Sequence, residues 1–214
     1  VDESRLTDRV SWGLNVAARS IGMPTDAYRP SSASEPLCPA NRFLRLHAAF
    51  SDVRGGFEHA NTYDQPLWNG IFDAAYTHVG DYLVQPSGTW FIVAQRSLMP
   101  VLCVRADRIV SFARPAAPTA SGVNAYGGVT AATNTPLLTN WPASVRAVSP
   151  AGVPSADLPG DSSVSRWTVL LPAHPAVVLQ FSDLLTDDLG RSAVVSSAEL
   201  TELGWRLSVK QAAT

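Results

Sequence analysis

The sequence predicts a mainly β protein: two tandem small β-barrel or sandwich modules behind an N-terminal α-helix. Three observations carry that reading. Between Gly80 and Pro115, four short runs rich in Val, Ile, Leu, Phe, Tyr and Trp are separated by turn residues, the pattern of a compact antiparallel unit. A second stretch, from Ser182 to Gln211, has the same layout at a constant offset of 102 positions. Asp81 falls on Asp183, Leu83 on Leu185, Gly88 on Gly190, Val93 on Val195 and Leu98 on Leu200. The third observation is at the start of the chain, where Leu6, Val10, Leu14, Ala17 and Ile21 recur at helical spacing.

In chain order, the helix spans Asp2 to Ile21, with Asp2 and Glu3 suited to its N-terminus and Gly22 and Pro24 to its stop. Met23 to Asn41 is rich in proline and small polar residues and reads as an extended connector. Leu44, Leu46, Ala48 and Phe50 alternate with Arg45, His47 and Ala49, which predicts a half-buried strand. Ser51 to Gln65 is a polar loop, and Pro66 to Tyr76 fits either a short helix or an extended edge. The first module then closes with strands at 81–84, 90–94, 101–104 and 108–112, the first two joined by the Gln85-Pro86-Ser87-Gly88 turn.

From Ala116 to Ser165 the only charged residues are Arg146, Asp157 and Asp161, and a domain boundary belongs in such a stretch. Within it, 141–148 supplies one strand and leaves long loops at 120–140 and 149–165. Strands at 167–171, 176–180, 183–186, 192–195 and 205–209 complete the second module. The expected organisation is a helix at 1–24, a first β module at 25–115, a low-charge linker at 116–140 and a second β module at 141–214, with about five strands per module.

Charge and composition narrow the function classes. A net charge of -2 argues against a protein whose main task is to coat nucleic acid. Lys210 is the single lysine among 16 basic residues, which fits a GC-rich genome and also fits arginine-based interfaces. Cys38 and Cys103 stand in no metal-ligand spacing and read as free thiols of a soluble protein made in the cytosol, and no run approaches the ~20 apolar residues of a membrane span.

Catalytic signatures are absent from the sequence. No Gly-x-Ser-x-Gly elbow occurs, and His47, His59, His78 and His174 form no metal-binding pair. Asp187-Asp188-Leu189-Gly190 lacks the alternating carboxylates of a calcium loop and reads as a hairpin turn, while Gly127-Gly128 has no following lysine to make a phosphate loop. The expectation is a non-enzyme with no catalytic residue, metal or cofactor. A different signal lies on the helix. Arg5, Arg9, Trp12, Val16 and Arg19 form a second stripe opposite the apolar one, covered either by the protein itself or by another subunit, because Trp and Arg are enriched at interfaces.

Three segments resemble the head-to-tail connector (neck) proteins of tailed bacteriophages, including head-completion and stopper proteins. They are Gly13 to Pro30, Gly80 to Pro115 and Ser182 to Ala212, and the last two carry a hairpin of the form Gly-Asp, apolar pair, turn with Gly, and an apolar run ending in Val, at Gly80 to Val93 and less faithfully at Ser182 to Val195. The second copy opens with Ser182 where the first has Gly80, and the chain is longer than a minimal stopper. The resemblance implies a virion structural protein, assembled in the host cytoplasm, that forms a ring between portal and tail around a DNA channel. Its implied partners are copies of itself, portal or adaptor and tail proteins, and DNA in transient non-specific contact, with no membrane. A ring of one chain needs a heterologous interface, and Arg5, Arg9, Trp12 and Arg19 are the candidate residues. The loops 51–65 and 120–140 are candidates for reaching a neighbour or the lumen. The alternatives are a tail-tip or baseplate component, or a carbohydrate- or peptide-binding module using Trp90, Trp141, Trp167 and Trp205 as an aromatic platform.

Overall fold

The computed structural model describes residues 3–52, 65–116, 134–147 and 165–211. Helix α1 (Glu3–Ile21) leads into twelve strands: β1 (Met23–Tyr28), β2 (Arg42–Asp52), β3 (Leu67–Ile71), β4 (Tyr82–Gln85), β5 (Gly88–Ala94), β6 (Val101–Ala106), β7 (Arg108–Arg114), β8 (Thr135–Ala147), β9 (Arg166–Leu171), β10 (Leu184–Asp187), β11 (Ser192–Thr201) and β12 (Gly204–Gln211). All pairings between them are antiparallel and close two six-stranded barrels, in the orders β1-β2-β3-β6-β5-β4 and β7-β8-β9-β12-β11-β10. The second order is the first with six added to each strand number. The chain is therefore a tandem repeat of one topology, and closure removes the exposed edges that open sheets must protect.

The structure departs from the sequence reading in several places. Arg108–Arg114 opens the second barrel, so the boundary between modules falls at Asp107 and not in the low-charge stretch. The first barrel gains Met23–Tyr28 as a strand, although Pro24 lies in it. Proline is tolerated there because β4 pairs only with Asp26, Ala27 and Tyr28, leaving one side of Pro24 unpaired. The ambiguous Pro66–Tyr76 stretch contributes β3, and β8 starts at Thr135 inside the expected loop. Residues 176–180 form a turn-bearing connector in place of the expected strand. Most of the loops expected at 51–65, 120–140 and 149–165 lie outside the described residues.

Side chains alternate along β4, β5 and β6 between two different cores. Leu83, Trp90, Ile92, Val101 and Cys103 fill the first barrel with Ala27, Ala48 and Phe72. Tyr82, Phe91, Val93 and Val104 face the other way and join the second barrel's core, which includes Val110, Phe112, Leu138, Trp141, Val169, Leu207 and Val209. The two-residue strand period thus uses both faces of one half-barrel for burial.

Polar contacts set how the barrels meet. The Tyr82 hydroxyl donates to the Pro142 carbonyl at 2.8 Å, and the ring meets Trp141 edge-on at 6.1 Å. Trp141 Nε1 donates to the Ala33 carbonyl at 2.7 Å, while the backbone of Ala33 and Glu35 bonds to Thr139, so the β1–β2 connector straps the second barrel. Asp107, the single residue between β6 and β7, accepts the Val145 N–H and donates its own to Ala143.

Candidate docking surface

Helix α1 lies on β2 and β3 through a narrow face. Ala18 is fully buried, Asn15 reaches Asp73, and Gly22 runs so close to β2 that an added Cβ would stand 2.7 Å from the Ala48 carbonyl carbon. The apolar stripe expected to bury the helix does so only in part. Val10, Leu14 and Ala17 are half-buried, but Leu6 and Ile21 are exposed. Arg5, Arg9, Trp12, Val16 and Arg19 are all exposed, with Trp12 at 69 %. A surface helix normally covers its apolar stripe, so α1 carries large apolar side chains on two exposed sides.

A second feature, repeated in both barrels, went unrecognised in the sequence. Arg29 follows β1 and Arg114 ends β7, and each forms a bidentate ion pair with a buried aspartate. Arg29 Nε and Nη2 donate to the Asp81 carboxylate at 2.9 and 2.8 Å; Arg114 Nε and Nη2 donate to that of Asp183 at 2.8 and 2.9 Å. Each guanidinium also donates to a carbonyl five residues before its aspartate, Tyr76 in one barrel and Val178 in the other. The aspartates in turn accept the N–H groups of His78 and Gln180. Hydrogen bonding to Asp81 and Asp183 raises both arginines above their ordinary pKa, against the opposing effect of burial. The sequence signal was available: each arginine precedes a proline, which restricts it to extended backbone at the strand end.

These clamps order the β3–β4 and β9–β10 connectors alike. Gly80 and Ser182 both take left-handed backbone (φ 93° and 70°) and donate to the opposite strand at Ile92 and Val195. The 102-residue offset holds from Tyr76/Val178 to Leu83/Leu185. It becomes 103 beyond the hairpin turn, which is one residue longer in the second barrel, so Val195 answers to Ile92 and not to Val93. Each connector presents two exposed apolar side chains at matching positions, Tyr76 and Val79 in the first, Val178 and Phe181 in the second. A cleft of about 360 Å³ lies where residues 78–81 meet residues 173–175. There Arg29 donates to His78 Nδ1, and His174 Nδ1 accepts the Ala176 N–H at 3.3 Å.

The tryptophans considered as a platform are placed otherwise. Trp90, Trp141 and Trp205 are buried, and Trp167 lies beneath Arg191, whose guanidinium is 5.0 Å from its ring. Among the described residues no cluster of three or more His, Cys, Asp or Glu could hold a metal ion, and no helix is long and apolar enough to cross a membrane. No protein-family model, curated protein or solved structure matches the chain.

Proposed function

We propose that the protein is a structural component of a tailed-phage virion that assembles as a ring in the head-to-tail neck, joins the portal to the tail and surrounds the DNA channel. The observation that carries the reading is the exposure of α1: Trp12, Val16 and Ile21 face solvent beside Arg5, Arg9 and Arg19, the composition of a protein interface. Its other supports are the resemblance of the three segments to connector proteins and the core shared by the two barrels, into which Tyr82, Phe91, Val93 and Val104 of the first pack against the second. In this reading α1 contacts a neighbouring copy or the portal through a heterologous interface.

The test is the mass of the purified protein by light scattering or native mass spectrometry, alone and mixed with the portal ring of the same virus. A closed ring or a stoichiometric portal complex is expected, and removal of residues 1–21 should abolish it. A strict monomer in both conditions would overturn the neck reading; unchanged assembly of the truncated chain would remove α1 from it.

A further inference from the structure

We propose that a groove at the seam of the two barrels receives helix α1 of a second copy of this chain, with Trp12 as the inserted side chain. The proposal rests on the reading of α1 as a subunit contact and names the surface that it meets. Tyr82 closes one part of the seam against Trp141 and Pro142. Another part, between β5–β6 and the β11–β12 turn, is an apolar groove of about 440 Å³. Phe91, Val93 and Val104 line it from the outer face of the first barrel, and Leu170, Leu203 and Trp205 line it from the second. Clefts of roughly 300–1,000 Å³ hold a small organic molecule, so an indole has room here.

Charge selects the occupant. The charged residues in the groove wall are Glu202 and Arg206, and Arg206 is already paired with the exposed Glu199 at 2.8 Å. Arg105, which follows Val104 on β6, turns the other way, toward Trp90 of the first barrel's core. Glu202 is left exposed and, among the described residues, has no ion-pair partner. The outer side of α1 is the complement. Arg5, Arg9 and Arg19 are exposed and likewise unpaired among the described residues, they outnumber the exposed Asp8, and they surround Trp12, which is 69 % exposed. An apolar anchor ringed by one sign of charge fits an apolar groove rimmed by the other.

The same charges argue against pairing of two α1 helices through their outer sides, because like charges would then face each other. Within its own chain α1 rests on β2 and β3, with Ala18 buried and Trp12 outward, so the helix offers one patch and the seam a different one. Each copy then donates one helix and accepts one, the heterologous arrangement from which a ring closes.

Two variants of the full chain test this, each at an exposed residue and each with the melting temperature of wild type. Trp12→Ser spoils the helix and leaves the groove intact; Leu203→Arg, at a position 40 % exposed at the groove, spoils the groove and leaves the helix intact. Each alone should weaken self-association by about 30-fold or more, as loss of an interface anchor does. Mixed, they should form a one-to-one pair in native mass spectrometry and nothing larger, because a single good helix meets a single good groove. Leu203→Arg that assembles like wild type, or a mixture that stays monomeric, would overturn the groove and leave the α1 contact and the neck reading in place. A wild-type chain that is monomeric alone yet binds the portal stoichiometrically would overturn this proposal and keep the neck reading. Self-assembly that obeys the pairing rule without any portal complex would keep this proposal and remove the portal assignment.

Discussion

Asp187 shows how much a single carboxylate contributes at a hairpin. Its Oδ1 accepts the N–H groups of Leu189 and Arg191, and its Oδ2 pairs with the Arg191 guanidinium at 2.6 Å. Burial raises the pKa of this group, but the Arg191 side chain, followed by the Arg191 and Leu189 backbone, outweighs burial and holds it below the ordinary value. A carboxyl with a lowered folded value adds stability that is fully present above the unfolded value of ~3.9 and is lost as pH falls through the folded one. Asp187→Asn keeps an acceptor for the turn and loses the ion pair. It should cost about 1–2 kcal/mol at neutral pH, with the gap from wild type closing below pH ~3. Thermal melts of both proteins across that range would check it; a gap independent of pH would exclude the ion pair as the cause. The turn itself was legible, since Asp and Gly are turn residues on any reading, but the arginine partner was not.

The connectors make a case at the level of elements. Gly80 and Ser182 share a left-handed conformation, which costs a side-chain-bearing residue roughly 1–2 kcal/mol. The departure of Ser182 from the Gly-Asp pattern therefore changed the residue and kept the conformation, because the bond from its N–H to Val195 and the neighbouring Asp183 clamp hold the backbone there. Gly80→Ala should destabilise by about 1 kcal/mol, while Ser182→Gly should stabilise by up to about 1 kcal/mol. Urea unfolding of the pair would measure both, and equal effects of one sign would contradict the equivalence. Helix α1 was readable because its period is local. Strand β1 was not, since its proline is excused only by a neighbour that pairs with half of it.

For the whole molecule, the shared core predicts one cooperative unfolding transition, because Tyr82, Phe91, Val93 and Val104 leave the first barrel's wall to complete the core of the second. Calorimetry should show a single peak, and two separated peaks would mean the barrels are independent. Tyr82→Phe leaves the buried Pro142 carbonyl without its donor and should lower stability by about 1–3 kcal/mol with the transition still single. The repeat also has unlike outer faces. The row Tyr28, Tyr82, Phe91 and Val104, paired across the first barrel, corresponds to Ala113, Leu184, Val194 and Lys210 in the second. One row lies under a barrel, while the other ends in an exposed lysine.

What the sequence determined by itself was the local part: a 3.6-residue period for α1, a two-residue period for most strands, turn residues between them, and the 102-residue echo of one module in the other. These signals lie within a few residues of one another or repeat at a fixed distance. Tertiary structure decided which barrel β7 joins, which way each strand face points, and how Arg29 and Arg114 find Asp81 and Asp183 across 52 and 69 positions. Those pairings depend on barrel closure. A guanidinium and a carboxylate far apart in sequence carry no mutual pattern until the strands that bear them are brought side by side.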